Sequence, residues 1–208
     1  TEMLVYGGAY LFLDVWGNYL EYPLGDGARY NLTGNSWTDI TSTAAPSVRY
    51  GFSAVWNGTD MIIWGGAARS GSWPIFTYTY LNDGACYRPS NDTWTAIATT
   101  GAPSHRSNHS AVWNGSKMRV WGGYSDGSYF NDGALYNWAA NTWSSMATAN
   151  APSPRYNHAS VWLNNQMVVW GGSDDTTSRI NTGARYFPSV NTWSNMTLIG
   201  RPAARTGF

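Results

Sequence analysis

Four glycine doublets, each closing the same short run, constrain this chain more than any other feature. Met3-Leu4-Val5-Tyr6-Gly7-Gly8 returns as Met61-Ile62-Ile63-Trp64-Gly65-Gly66, as Met118-Arg119-Val120-Trp121-Gly122-Gly123 and as Met167-Val168-Val169-Trp170-Gly171-Gly172. A period of roughly 50 residues marks a repeat architecture, whose units cannot bury an apolar face alone and must stack on one another. A second signature follows each doublet: Gly27-Ala28-Arg29-Tyr30, Gly84-Ala85-Cys86-Tyr87, Gly133-Ala134-Leu135-Tyr136 and Gly183-Ala184-Arg185-Tyr186. Seven residues after each of these tyrosines comes a tryptophan, at Trp37, Trp94, Trp143 and Trp193. Prolines follow at Pro46, Pro103, Pro152 and Pro202, and three residues after each stands an arginine: Arg49, Arg106, Arg155 and Arg205. Three of the arginines lead into Ser-Ala-Val-Trp or Ala-Ser-Val-Trp, ending at Trp56, Trp113 and Trp162.

The spacings separate frame from ornament. Trp37 to Trp64, Trp94 to Trp121 and Trp143 to Trp170 are each 27 residues apart. The complementary intervals, from Tyr6, Trp64, Trp121 and Trp170 to the next repeat tryptophan, are 31, 30, 22 and 23 residues. A part of fixed length keeps register against its neighbours, whereas a part free to change length is a surface connection. The variation falls just after Gly-Gly, in Ala9–Asp26, Ala67–Asp83, Tyr124–Asp132 and Ser173–Thr182, which are read as loops. Each full unit reads as four strands. The first is Ser53–Trp56, Ser110–Trp113 or Ala159–Trp162, followed by a tight Asn57-Gly58, Asn114-Gly115 or Asn164-Asn165 turn. The second is the Met-x-x-Trp/Tyr run, the third Gly-Ala-x-Tyr and the fourth the segment around each repeat tryptophan. No helical periodicity interrupts this pattern.

The expected fold is therefore all-β: a β-propeller segment of about four blades, each a four-stranded antiparallel sheet packed face to face on the next. Residues 1–208 form a single segment, with units at approximately 1–52, 53–109, 110–158 and 159–208. Ten of the thirteen tryptophans, namely Trp37, Trp56, Trp64, Trp94, Trp113, Trp121, Trp143, Trp162, Trp170 and Trp193, hold repeat-locked positions. They are expected between blades, where each would bury roughly 150–250 Å².

Arg106-Ser107-Asn108-His109-Ser110-Ala111-Val112-Trp113, then Met118 to Gly123, Tyr136 and Asn141-Thr142-Trp143, resemble the kelch repeat family, and most closely its bacterial extracellular members. The resemblance covers essentially the whole chain. It implies a propeller of six or seven blades, so these four units are expected to be part of a larger ring. The closing Arg205-Thr206-Gly207-Phe208 matches Arg49-Tyr50-Gly51-Phe52, and the opening Thr1-Glu2-Met3 matches Thr59-Asp60-Met61, leaving one unit without its first strand.

Charged residues make up 12% of the chain and balance to zero, so no basic stripe points to nucleic acid. No apolar run is long enough to span a membrane as a helix. One cysteine, Cys86, excludes an internal disulfide framework. Richness in Asn, Ser, Thr and Gly with few charges favours an extracellular or cell-surface setting.

Binding residues are sought in the variable segments. Trp16, Tyr19, Tyr22, Trp73, Phe76, Tyr78 and Tyr129 are candidates, because exposed rings beside polar groups suit a sugar or a protein partner. The alternative is that these segments fold over and pack on one another. The resemblance adds Arg49, Arg106, Arg155 and Arg205, since in some kelch proteins the matching arginines line the ligand-binding face; their recurrence in every unit favours a structural role instead, as donors to loop carbonyls or cations on a tryptophan. His109 and His158 fall where other units carry Phe52 and Phe208, which marks a packing position.

No nucleophile elbow, zinc motif or phosphate loop is present. Neither the copper-ligand set of galactose oxidase nor the sialidase aspartate turn can be assembled from Cys86, the three histidines or Asn91–Trp94. The function expected is a non-catalytic, cofactor-free module that recognises a glycan or protein partner through the loop face. The alternatives are a portion of a larger galactose-oxidase-like or sialidase-like enzyme, and a building block of a surface layer or filament.

Overall fold

The structure, a computed structural model, describes residues 2–13, 17, 19–72, 75–174 and 178–207, without the side chains of residues 19–21 and 72. All its regular elements are strands. The first unit contains β1 (Glu2–Tyr6), β2 (Ala9–Leu13), β3 (Tyr19–Pro23), β4 (Gly27–Asn31) and β5 (Ser36–Asp39). The second contains β6 (Ser53–Trp56), β7 (Met61–Trp64), β8 (Ala67–Ser72), β9 (Ile75–Tyr80), β10 (Gly84–Arg88) and β11 (Thr93–Ala96). The third contains β12 (Ser110–Trp113), β13 (Lys117–Trp121), β14 (Tyr124–Ser125), β15 (Ser128–Tyr129), β16 (Gly133–Asn137) and β17 (Thr142–Ser145). The fourth contains β18 (Ala159–Leu163), β19 (Gln166–Trp170), β20 (Gly183–Phe187) and β21 (Thr192–Asn195).

Three antiparallel four-stranded sheets result, β6-β7-β10-β11, β12-β13-β16-β17 and β18-β19-β20-β21, and one three-stranded sheet, β1-β4-β5. This is the all-β blade arrangement expected of a propeller. The described residues do not close a ring. β6, β12 and β18 lie side by side as the inner strands of successive blades. Just before them a backbone ladder runs from blade to blade: Asn108 donates to the Gly51 carbonyl at 2.7 Å, Asn157 to Asn108 at 3.0 Å and Gly207 to Asn157 at 3.2 Å. All four residues of the ladder have positive φ, which suits glycine and asparagine.

Alternation within each second strand sends its side chains to two different blades. Met61 and Ile63 pack with Tyr6 and Ile40 of the first sheet, while Ile62 and Trp64 pack with Met118, Val120 and Tyr136 of the third. The pattern repeats between the last two sheets, where Trp121 and Val112 meet Met167, Val169 and Trp193. Each interface has one aromatic pair at its centre: Tyr6–Trp94 at 4.7 Å, Trp64–Trp143 at 5.4 Å and Trp121–Trp193 at 5.3 Å. The outer-strand tryptophan also donates its indole N–H to the preceding blade, Trp94 to the Thr41 carbonyl, Trp143 to Ala98 and Trp193 to Ala147, at 2.7–3.0 Å.

A clip whose bonding role the repeat pattern does not reveal lies two residues before each of these tryptophans. Asn141 Oδ1 accepts both the Tyr136 hydroxyl at 2.9 Å and the backbone N–H of Ala98, in the blade before, at 2.8 Å. Asp92 and Asn191 do the same for Thr41 and Ala147. Among the described residues Asn35 accepts only the hydroxyl of Tyr30. All four have positive φ between 46° and 53°. Asn141→Ala is therefore expected to cost about 1–3 kcal/mol more than Asn35→Ala in urea unfolding, because the comparison cancels the backbone preference and leaves the lost bond between blades. Equal losses would mean that the clip contributes nothing.

Two repeat tryptophans depart from the expected burial. Trp37 is 54% exposed because among the described residues no sheet packs on its outer face, and Trp56 is 50% exposed because among them no strand lies inside β1 for it to pack on. Met3 and Val5, on the Trp37 side of the first sheet, are about half exposed for the same reason as Trp37, whereas their counterparts Met118 and Val120 are fully buried. On the other face, between the first two sheets, a cavity of about 700 Å³ opens beside Trp56, lined by Leu4, Arg29, Val55 and Trp56.

The segments after Gly-Gly, expected as loops, form β-hairpins instead. β2 pairs with β3, β8 with β9 and β14 with β15, and in the last unit Ser173 bridges Arg179. Length variation thus lengthens or shortens a hairpin without touching the sheet. The doublet glycines permit the exit: Gly66 has φ +98°, and a Cβ there would lie 2.8 Å from the Tyr50 carbonyl.

Candidate functional site

The hairpins and the segments after the repeat arginines occupy one end of the sheets, since Tyr50 bridges Ala67, Ser107 bridges Tyr124 and Tyr156 bridges Ser173. On this face the first two hairpins meet through β3 and β8. Tyr10 stacks on Tyr22 at 5.1 Å, and Phe12 meets Tyr22 edge-on at 6.3 Å. Arg69, from β8, then sits with its guanidinium carbon 4.3 Å from the Tyr22 ring and 4.0 Å from the Phe76 ring. Ring, ring, cation and ring form one continuous stack across two hairpins.

A second aromatic group adjoins it. Tyr80 of the second hairpin meets Tyr124 of the third at 5.5 Å, and Tyr124 touches both Tyr129 and Tyr156. Burial, followed by the neighbouring Tyr124, holds the Tyr80 hydroxyl well above the usual phenol range. These rings are half-buried and serve to join hairpins. The open part of the face is apolar: Tyr10, Leu11, Phe12 and Leu13 on β2 and Ile75 and Tyr78 on β9 are all exposed, Leu11 to 63% and Ile75 to 76%.

Of the residues expected to bind, Tyr22, Phe76, Tyr78 and Tyr129 are on this face. Tyr22 and Phe76 act as walls for Arg69, Tyr78 is exposed and Tyr129 packs against Tyr124 and Tyr156. Trp16, Trp73 and the Tyr19 side chain lie outside the described residues. Arg69, Leu11 and Leu13 were not anticipated, since no spacing or repeat marks them.

The repeat arginines require a correction. Arg49, Arg106 and Arg155 are at most 1% exposed and cannot line an open ligand face. Arg106 donates to the carbonyls of Ser104, Gly122 and Asp132, to Ser104 Oγ and to the Asp132 carboxylate, all at 2.8–3.3 Å, under the Phe130 ring. Arg49 makes the same set with Ser47, Gly65 and Asp83, and Arg155 with Ser153, Gly171 and Thr182. Each fork thus ties the entry to a blade to the two ends of its hairpin. Arg205 is exposed, donating to Ala203 and lying 5.8 Å from the Trp170 ring.

The histidines of the repeat and the lone cysteine are internal. His109 Nε2 pairs with Ser53 Oγ and His158 Nε2 with Ser110 Oγ, both at 2.8 Å between consecutive inner strands. Burial, with the adjacent Arg106 or Arg155 cation, lowers both imidazoles to about 3. Burial raises the Cys86 thiol to about 12, which keeps it in the thiol form. Among the described residues no three His, Cys, Asp or Glu side chains group as a metal site.

A sequence model of the KLHDC2/KLHL20/DRC7 Kelch-repeats domain matches residues 2–208. No curated protein matches the chain. With the match spanning the repeats, the blades and the hairpin face alike, the chain belongs to the kelch-repeat family.

Proposed function

We infer that this chain is a non-catalytic recognition module whose hairpin face holds a protein partner. Kelch-repeat domains are protein-interaction modules, and the observation that carries the reading here is the exposed apolar strip of Tyr10, Leu11, Phe12, Leu13, Ile75 and Tyr78. Exposed apolar side chains on neighbouring hairpins held by a rigid sheet mark an interaction surface. The aliphatic members, Leu11, Leu13 and Ile75, favour a protein over a glycan, which would call for flat rings bordered by hydrogen-bonding side chains. The low charge content supports an extracellular setting for this recognition.

The test is to select binders for the purified chain from a displayed peptide library and to measure their affinity by fluorescence polarisation. Leu11→Ser and Phe12→Ser are expected to weaken binding at least tenfold, about 1.4 kcal/mol. Both side chains are about half exposed or more, so neither change removes core. Val190→Ser is expected to change nothing: it lies beyond the Phe187 end of β20, opposite the Gly183 end that meets Trp170 and the hairpin face. Loss through Val190→Ser with Phe12→Ser silent would overturn the reading.

A further inference from the structure

We propose that the end of the sheets opposite the hairpins carries a second binding site, a cleft between the second and third blades where the Trp138 indole takes a pyranose ring of an oligosaccharide. Three of the thirteen tryptophans stand outside the repeat: Trp16, Trp73 and Trp138. Of these, Trp138 alone lies among the described residues. It follows the last residue of β16, at the register that Leu32, Pro89 and Pro188 hold in the other units. Beside it Lys117, at the start of β13, pairs with Asn137. Lys117 is the only lysine of the chain, and its counterparts are Glu2, Asp60 and Gln166. Neither residue is demanded by the blade, since the other units are built without them.

Trp138 is half-buried and borders two cavities. One, of about 350 Å³, holds a second half-buried indole, Trp113, and is rimmed by Asn57, Ser116, Lys117 and Asn137. Among the described residues the Lys117 ammonium has no acceptor or counter-ion, and the Trp138 N–H has no acceptor. The other, of about 300 Å³, holds Arg88 and Asp60. Arg88 donates Nε and Nη2 to the two carboxylate oxygens of Asp60 at 2.8 and 3.0 Å, and its guanidinium carbon is 5.9 Å from the Trp138 ring. The Asp60 side chain is almost fully buried, which fixes this fork and leaves its remaining N–H donors for a ligand. A pyranose presents C–H bonds on its faces and hydroxyls around its edge. A flat indole rimmed by amides, a hydroxyl and cations meets both demands. Among the described residues no Leu, Ile, Val, Met or Phe lines either cavity, so an aliphatic peptide side chain finds nothing to bury against. Cavities of about 300 Å³ are at the small end of ligand sites, which gives one sugar unit a place on each side of the indole. The hairpin face is the chemical opposite, and the two ends of the sheets share none of these residues.

The test applies the purified chain to an array of immobilised oligosaccharides built from hexoses, N-acetylhexosamines and hexuronates. Each retained oligosaccharide is then titrated in solution by tryptophan fluorescence and saturation-transfer NMR. At least one is expected to be retained, with a change in indole fluorescence on binding. Trp138→Pro, the residue of the second and fourth units, and Trp138→Leu, the residue of the first, are expected to weaken it at least tenfold while melting close to the parent. Lys117→Gln, the residue of the fourth unit, is expected to weaken it about threefold to tenfold. Phe12→Ser is expected to leave the sugar bound, and Trp138→Pro to leave the selected peptides bound, so this site and the hairpin face stand or fall separately. An array that retains nothing, or sugar binding that survives both Trp138 variants, would overturn the proposal. Sugar binding lost through Phe12→Ser would move the saccharide to the hairpin face and overturn it as well.

Discussion

Arg106→Met is expected to destabilise the chain by about 3–5 kcal/mol, the range found when one partner of a buried charged network is removed. For a chain of this size that is a fall on the order of 10 °C in melting temperature. The side chain is fully buried, and its loss orphans the carbonyls of Ser104, Gly122 and Asp132 together with Ser104 Oγ. Methionine fills the volume and supplies no donor, so the desolvated acceptors remain unmet. The Asp132 carboxylate is 47% exposed and returns to water, so it contributes little to the loss. Arg205→Met, at the same place in the repeat, is expected to stay within about 0.5 kcal/mol of the parent, because the Arg205 side chain is exposed and, among the described residues, donates only to the Ala203 carbonyl. Denaturant midpoints of the two variants decide between a structural and a ligand-binding arginine. If Arg106→Met melts like the parent, the fork is not holding the blade.

The blades were legible in the sequence because the same burial problem is solved four times. The Met-x-x-Trp run meets a preceding sheet in the second, third and fourth units, so Met61, Met118 and Met167 are all buried to within 7% exposure. Position in the array is what a repeat cannot encode. Trp37 and Trp94 share one register and differ in exposure, 54% against 6%, only because of which sheets flank them. The clip at Asp92, Asn141 and Asn191 did leave a signal, a short polar residue two before each repeat tryptophan. Reading it as an inter-blade bond requires knowing that this residue adopts positive φ and faces the preceding blade.

The hairpin face was legible only as aromatic content. Tyr10-Leu11-Phe12-Leu13 has no polar alternation to declare a strand, since both of its sides are exposed and no core selects one of them. Arg69 carries no motif at all. Its place between Tyr22 and Phe76 arises when two hairpins of different blades meet, and those residues are 47 and 7 positions away in the chain. The arginines that do recur, by contrast, recur because every blade needs the same clamp, which is why repetition pointed away from the ligand.

Acid is expected to destabilise the chain through its two internal histidines. His109 and His158 are buried between inner strands, and burial followed by the cations of Arg106 and Arg155 lowers both to about 3 from an ordinary value of 6.5. A base whose folded pKa is depressed is neutral in both states above 6.5, so it adds no pH dependence there. Between 6.5 and about 3 the unfolded chain binds a proton that the folded chain does not, and stability falls with falling pH. Each histidine contributes up to about 1.4 kcal/mol per pH unit, so at pH 4.5 the loss is roughly 2–3 kcal/mol for each. The double variant His109→Phe/His158→Phe places in both blades the ring that Phe52 already provides in the second. It is expected to lose about 1 kcal/mol per site at neutral pH, because Ser53 and Ser110 lose their partners, and to flatten the profile between pH 6.5 and 4.5. Urea midpoints taken across that range measure both effects. A parent profile no steeper than the variant's would mean that the folded chain protonates these rings, and that the Ser–His pairs between blades are open to water.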